Sequence, residues 1–386
     1  MTIRLKGATW AHTRGFLPMA ATAQRFHETH PEVRIDWQVR SLQQFADFSI
    51  ADLARDYDLL VIDHPFCGHA AEEAILAPID DLVSWDFLAD QAENSVGASH
   101  GSYFYGGHQW ALAIDAATPI SGWRSDLLQR HQEPPATWES LLELAKLGLV
   151  AVPGIPIDSL MHFYMFCAAA GEEPFKGPHS VVDEAVGVRA LEMQRRLMQL
   201  CDPRCFSMNP IAVWELLAAG DKVAYVPFAY GYSNYSRLGY AENVITAGGL
   251  VRSGEGEPLR STLGGAGLAI SSACKHKEVA AEYAAYVASE ACQTTLYFNS
   301  GGQPGHRAAW TNEEVNRRSN GFFENTLQTL DQAYLRPRFF GYLDFQDQGG
   351  QIVHSYLTGG GSAKGVIAAL NQRLHACRRK GQEHCV

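Results

Sequence analysis

The strongest constraint on this chain is the regular exchange of strand and helix periodicity in its first 63 residues. Residues 3–8 alternate apolar and polar side chains, and a loop, WAHTRG (10–15), follows. Pro18 is expected to open a helix running to about His30, with Met19, Ala23 and Phe26 on one face. Pro31 stops it, and Val33, Ile35, Trp37 and Val39 then alternate along a second strand. After a short helix, DLLVID (58–63) is the continuous apolar run of a parallel strand covered on both faces. Strand, helix, strand, helix, strand is doubly wound α/β organisation, in which ligands sit beyond the carboxyl ends of the strands. That rule singles out residues 10–14 and the pair Asp63 and His64 before anything else is considered.

The remaining segments extend the same pattern. Strands are expected at 110–114, 222–228 and 268–270, the last entered through GGAG (264–267). Helices are expected at 138–146, 185–200, 211–219 and 278–289, with Thr137 as an N-cap and Gly220 as a C-terminal stop. Residues 229–235, AYGYSNY, form a loop crowded with tyrosine. At 386 residues the chain exceeds one ordinary core and calls for two lobes of about 150–200 residues each.

Charge narrows the partners. A formal net charge of -11 argues against nucleic acid or an anionic membrane surface. No stretch approaches 18 apolar residues, so no membrane span is expected. MTIRLKGATW at the N-terminus reads at once as a strand, without an n-region or apolar h-region. Two readings stay open: a cytosolic protein, or one whose signal segment has been removed. Eight cysteines fit neither a zinc array nor a dense disulfide scaffold. Cys67 and Cys167 sit in apolar contexts, whereas Cys201 with Cys205, and Cys377 with Cys385, could bridge in an oxidising compartment.

Several segments, in order, resemble the bacterial extracellular solute-binding family that includes maltose-type sugar binders. FHETHPEV (26–33) resembles its first helix running into a strand, and YDLLVID (57–63) its third strand. ILAPIDDL (75–82) is similar to its "PLDDL" segment, and PPATWE (134–139) to its "PP.TWDE" helix entry. GDKVA (220–224), LGGAGLAI (263–270) and SGGQP (300–304) complete the series. GGHQWAL (106–112) and SGWRSDLL (121–128) depart from the polar lining of many sugar binders while keeping the register. The resemblance implies a two-lobed fold with a hinge and an inter-lobe ligand cleft. Residues 1–113 plus 263–308 would form one α/β lobe, and 114–262 plus 309–386 the other. It further implies a monomer that serves ABC permease subunits from the periplasm; the cytoplasm remains the alternative.

The expected site draws on both lobes. Trp10, His12 and Arg14 follow the first strand, joined by Asp63 and His64; Trp10 could equally be a core aromatic, and Asp63 a cap. Tyr230 and Tyr232 offer flat faces and hydroxyls suited to a carbohydrate or polyol. Gly264 and Gly265 would admit the ligand close to the backbone, and Asp115 would lie at the hinge. Arg14 beside a helix start keeps a small organic anion open as the second ligand class. No phosphate loop, dinucleotide fingerprint, metal-ligand spacing or nucleophile elbow appears, so no cofactor, no metal and no enzyme activity are expected. A cytosolic sensor or an enzyme on the same scaffold is the remaining alternative.

Overall fold

A computed structural model describes residues 2–40, 50–128, 133–253, 256 and 258–383. In chain order the elements that matter here are β1 (Ile3–Trp10), α1 (Thr13–Thr29), β2 (Val33–Arg40), β3 (Leu59–Ile62), β4 (Leu112–Ala117), β5 (Pro119–Trp123), α2 (Trp138–Lys146), α3 (Pro156–Ala169), α4 (Glu184–Met198), β6 (Tyr225–Tyr230), β7 (Thr246–Gly248), β8 (Gly264–Ile270), α5 (Lys277–Ala288), α6 (Tyr342–Gly359) and α7 (Ala363–Glu383). The chain divides into two compact units. Unit 1 holds Met1–Ala117, Gly264–Arg317 and Arg338–Phe340; unit 2 holds Thr118–Leu263, Arg318–Pro337 and Gly341–Val386.

Unit 1 is built on a five-stranded sheet of order β2-β1-β3-β8-β4. β1 pairs parallel with β2 and β3, while β8 runs antiparallel between β3 and β4. The sheet is therefore mixed, and the expected parallel run is interrupted by one strand that arrives from much later in the chain. Its core joins Leu5, Val61, Leu112 and Leu268 of the sheet to Met19 and Phe26 of α1 and Tyr283 and Val287 of α5. α1 begins at Thr13, five residues before the proline expected to open it, and Pro18 lies inside the helix. The reason is the cap: His12 is extended, and its ring nitrogen accepts from Arg14 N–H at 3.0 Å, which satisfies an amide of the first turn.

Unit 2 carries a three-stranded antiparallel sheet, β6-β5-β7, and a helical layer. α2 starts where its sequence says, because Thr137 and Ser140 form a reciprocal capping box. α3 is buried from Asp158 through Cys167 on every side, the pattern of a central core helix. It packs among α4 and α6. Strand β6 runs on to Tyr230, past the expected end at Phe228. Cys67, Cys167, Cys201 and Cys205 are buried thiols, and burial pushes each up from the usual thiol range. Cys385 lies outside the described residues, so a Cys377–Cys385 bridge does too.

Candidate functional site

In unit 1 the strand directions decide which residues meet. β8 is antiparallel to both β3 and β4, so β4 points the same way as β1 and β3. The carboxyl ends of β1, β3 and β4 and the start of β8 therefore share one edge of the sheet. Trp10, His12, Arg14, Asp63, His64, Asp115, Gly264 and Gly265 all belong to that edge. In open α/β sheets generally, this is the edge beyond which ligands bind.

The chemistry there is more inward-looking than the sequence suggested. Arg14 is 4% and Asp115 1% exposed. The guanidinium grips the carboxylate with two N–H groups, Nε to Oδ2 at 2.7 Å and Nη2 to Oδ1. Burial pushes the Asp115 carboxyl up, and the adjacent guanidinium opposes the rise. A bidentate pair of this kind leaves almost no net charge to offer an anion. Burial, with Arg14 next to it, holds the capping His12 down at about 4, so the ring stays neutral and its nitrogen remains an acceptor.

Gly265 has φ +105°, and a Cβ there would stand 2.3 Å from the Asp115 carbonyl oxygen. The position needs glycine because β8 presses on β4, beside a break in register at Ala266/Gly267. Trp10 is buried against Gly15, where a Cβ would stand 2.4 Å from the indole. Asp63 caps a short turn, His64–Phe66, by accepting from His64 N–H at 2.8 Å, and His64 itself is fully buried. Of the unit 1 candidates, His12, Asp63 and Gly265 are only partly buried.

In unit 2 Tyr230 ends β6 opposite Pro119, where the chain enters this unit. It is half-buried, with its hydroxyl 3.2 Å from Thr262 Oγ1. Tyr232 is buried and precedes the turn Ser233–Ser236. The third tyrosine of that loop, Tyr235, is a core residue whose hydroxyl donates to Glu215 at 2.5 Å. Sequence reasoning passed over Asp158 and His162 of α3, both deeply buried. The available signal was an acid and an imidazole four residues apart inside an otherwise apolar helix.

Among the described residues one group has metal-ligand proximity: Asp80, Asp81 and His108. Asp80 is already engaged there, with Oδ1 accepting from Gln109 N–H at 2.8 Å and Oδ2 3.0 Å from His108 Nδ1. The cluster pins the turn Ile79–Asp81 to the short strand His108–Gln109.

Comparison with known proteins adds a family to this geometry. In fold, the chain is similar to maltose-bound MalE3 of T. maritima, with a TM-score of 0.85 at 16% identity, covering 97% of this chain and 100% of that one. It is similar to an ABC transporter solute-binding protein of Agrobacterium radiobacter K84 in complex with ribitol, with a TM-score of 0.78 at 18% identity and 98% of both chains covered. The GacH receptor of Streptomyces glaucescens, solved unliganded and with acarbose, gives 0.80 at 15% identity over 98% of this chain and 99% of that one. No curated protein matches the chain. The model of the bacterial extracellular solute-binding proteins matches residues 9–317, a span that takes in every residue of the two clusters above. The chain belongs to that family.

Proposed function

We propose that the protein captures a small neutral polyhydroxylated solute, a carbohydrate or polyol, outside the cytoplasm and delivers it unchanged to the permease subunits of an ABC-type importer. Membership of the solute-binding family carries the reading. Its relatives in fold include proteins with maltose, ribitol, tagatose and mannitol bound. The pairing of Arg14 with Asp115 favours the neutral class over an organic anion, since the one strong cation of the expected site is already neutralised. Tyr230, half-buried with an aromatic face and a hydroxyl, suits the CH faces and hydroxyls of a sugar. The protein acts as a monomer with Trp10, His12, Asp63 and Gly264 in unit 1 and Tyr230 and Tyr232 in unit 2 as its contact sets.

Calorimetric titration of the full chain with maltose, ribitol, D-mannitol and D-gluconate tests this. Heat and thermal stabilisation with a neutral compound, recovered unchanged, are expected. Binding of gluconate alone, or consumption of the ligand, overturns the reading. Fractionation of the native host tests the location, and a cytosolic pool alone would remove the importer role.

A further inference from the structure

We infer that Asp158 and His162, one turn apart on α3, are a second polar contact set in unit 2 that receives hydroxyl groups of the captured solute. The inference rests on the solute-binding reading above and specifies part of its site.

Helix α3 is buried throughout residues 158–167, and its other polar groups are accounted for. Ser159 donates to Gly154 O at 2.9 Å, and the Tyr164 hydroxyl lies 3.4 Å from that of Tyr342. Asp158 is different: it is 2% exposed, and its Oδ2 is buried without a hydrogen-bond partner. His162 is 1% exposed and meets the ring of Phe228 edge-on at 4.6 Å, with no hydrogen bond among the described residues. An unpaired polar group in the interior costs free energy that a leucine or phenylalanine would not, so the Asp158 carboxyl, with the His162 imidazole one turn away, asks for a partner from outside the fold.

The path of the chain gives the pair its direction. Val150 bridges Tyr225 in parallel, so the chain before α3 runs beside β6 in the same sense. The helix begins at Pro156 and returns to meet Phe228 at His162. Asp158, one turn nearer the helix start, thus lies toward the exit of β6, the end that carries Tyr230. The pair extends the polar set already expected at that strand end.

Its chemistry selects the ligand class. Burial lifts the Asp158 carboxyl to about 8 and holds the His162 ring at about 3, so both are uncharged at neutral pH. A neutral carboxyl and a neutral imidazole each donate one hydrogen bond and accept others. A hydroxyl group does the same. A carboxylate ligand would find no cation here and an ammonium no anion.

The test uses the full chain and the tightest binder among maltose, ribitol and D-mannitol. Asp158→Leu and His162→Phe should each weaken that compound about tenfold or more while the melting temperature holds or rises. Asp158→Asn, which keeps a donor and an acceptor, should stay within about tenfold of the parent. If either apolar variant binds as the parent does and melts higher, the pair is only buried polarity and the inference falls, with the solute-binding reading intact. If affinity and melting temperature fall together and Asp158→Asn restores neither, the pair holds structural water and the inference falls. If the parent binds none of the three, the neutral-solute reading fails first and takes this one with it.

Discussion

Arg14–Asp115 in unit 1 and Asp158/His162 in unit 2 are equally hidden from solvent, yet they solve burial in opposite ways. The first pair is complementary, in contact, and hydrogen-bonded through two N–H groups. The second consists of groups that lack such a partner and respond by giving up charge. A satisfied buried pair fixes conformation: it ties the start of α1 to β4, the strand that leads out of unit 1. An unsatisfied one is a standing cost that a ligand can relieve. The contrast separates residues that build the scaffold from residues that wait for something, and mutation can break it from either side.

The largest effect is expected in unit 1. Arg14→Ala leaves the Asp115 carboxylate buried and alone, and should lower stability by about 3–5 kcal/mol. Chemical denaturation read by circular dichroism checks it. A double variant, Arg14→Met with Asp115→Leu, should recover most of that loss, since a packed apolar pair replaces the ions. Failure of the recovery would show that the pair does more than satisfy itself.

The second prediction reverses the sign in unit 2. Asp158 has its folded-state value raised from 3.8 to about 8, so between those values the native state binds more protons than the unfolded chain. Its contribution is fully present below about pH 4 and is lost as pH rises through about 8. Asp158→Asn should therefore stabilise the protein on the order of 2–4 kcal/mol at pH 9, less at pH 5, and have little effect at about pH 4 and below. A pH series of melting curves tests this, and a variant curve parallel to the parent's would refute it.

Next is the glycine beside the unit 1 pair. Gly265→Ala puts a methyl group into the Asp115 carbonyl and requires φ +105° of an L-residue. A loss of about 1–3 kcal/mol is expected. A tolerated substitution would show that β8 can move away from β4 without disturbing Arg14.

These residues also show what could be read from the chain. Elements came through well where one local signal decides them: α2 begins at Trp138 as its threonine cap requires, and the β1, β2 and β3 cores follow their periodicity. Pro18 does not mark the start of α1, because the imidazole cap at His12 opens the helix five residues earlier, at Thr13. The antiparallel insertion of β8 was hidden because strand direction comes from pairing with β3 and β4, roughly 150–200 residues away in sequence. The return of Arg338–Phe340 to unit 1 was too short to leave a pattern. For the candidate site, the strand-end rule groups residues that do share one sheet edge in unit 1, but it cannot reveal that Arg14 is paired, because the partner lies 101 residues on. Nothing in WAHTRG says that Asp115 will claim the guanidinium. Gly265 was noted for closeness to a ligand; the structure shows that its own neighbouring strand needs the space.

The smallest effect separates two helix starts. In unit 2, Thr137 accepts from Ser140 N–H at 3.2 Å, and Ser140 Oγ accepts from Thr137 N–H at 3.1 Å. In unit 1, His12 Nδ1 does the corresponding work for α1. Thr137→Ala and His12→Ala should each cost about 1 kcal/mol at neutral pH, the usual worth of an N-cap. They part company in acid. A hydroxyl does not titrate in this range, so the Thr137 loss should be the same at every pH where the protein is folded. The His12 ring must be unprotonated to accept, and its folded-state value lies at about 4 against 6.5 unfolded. Between those values the unfolded chain binds more protons, so the contribution of His12 is fully present above about 6.5 and is lost as pH falls through about 4. The deficit of His12→Ala relative to the parent should thus shrink as pH falls below about 6.5 and reverse in sign before about pH 4, while Thr137→Ala keeps its deficit. Denaturant midpoints for the three proteins at pH 4, 5.5 and 7.5 decide it: two deficits that stay level with pH would mean that the imidazole is not the cap of α1.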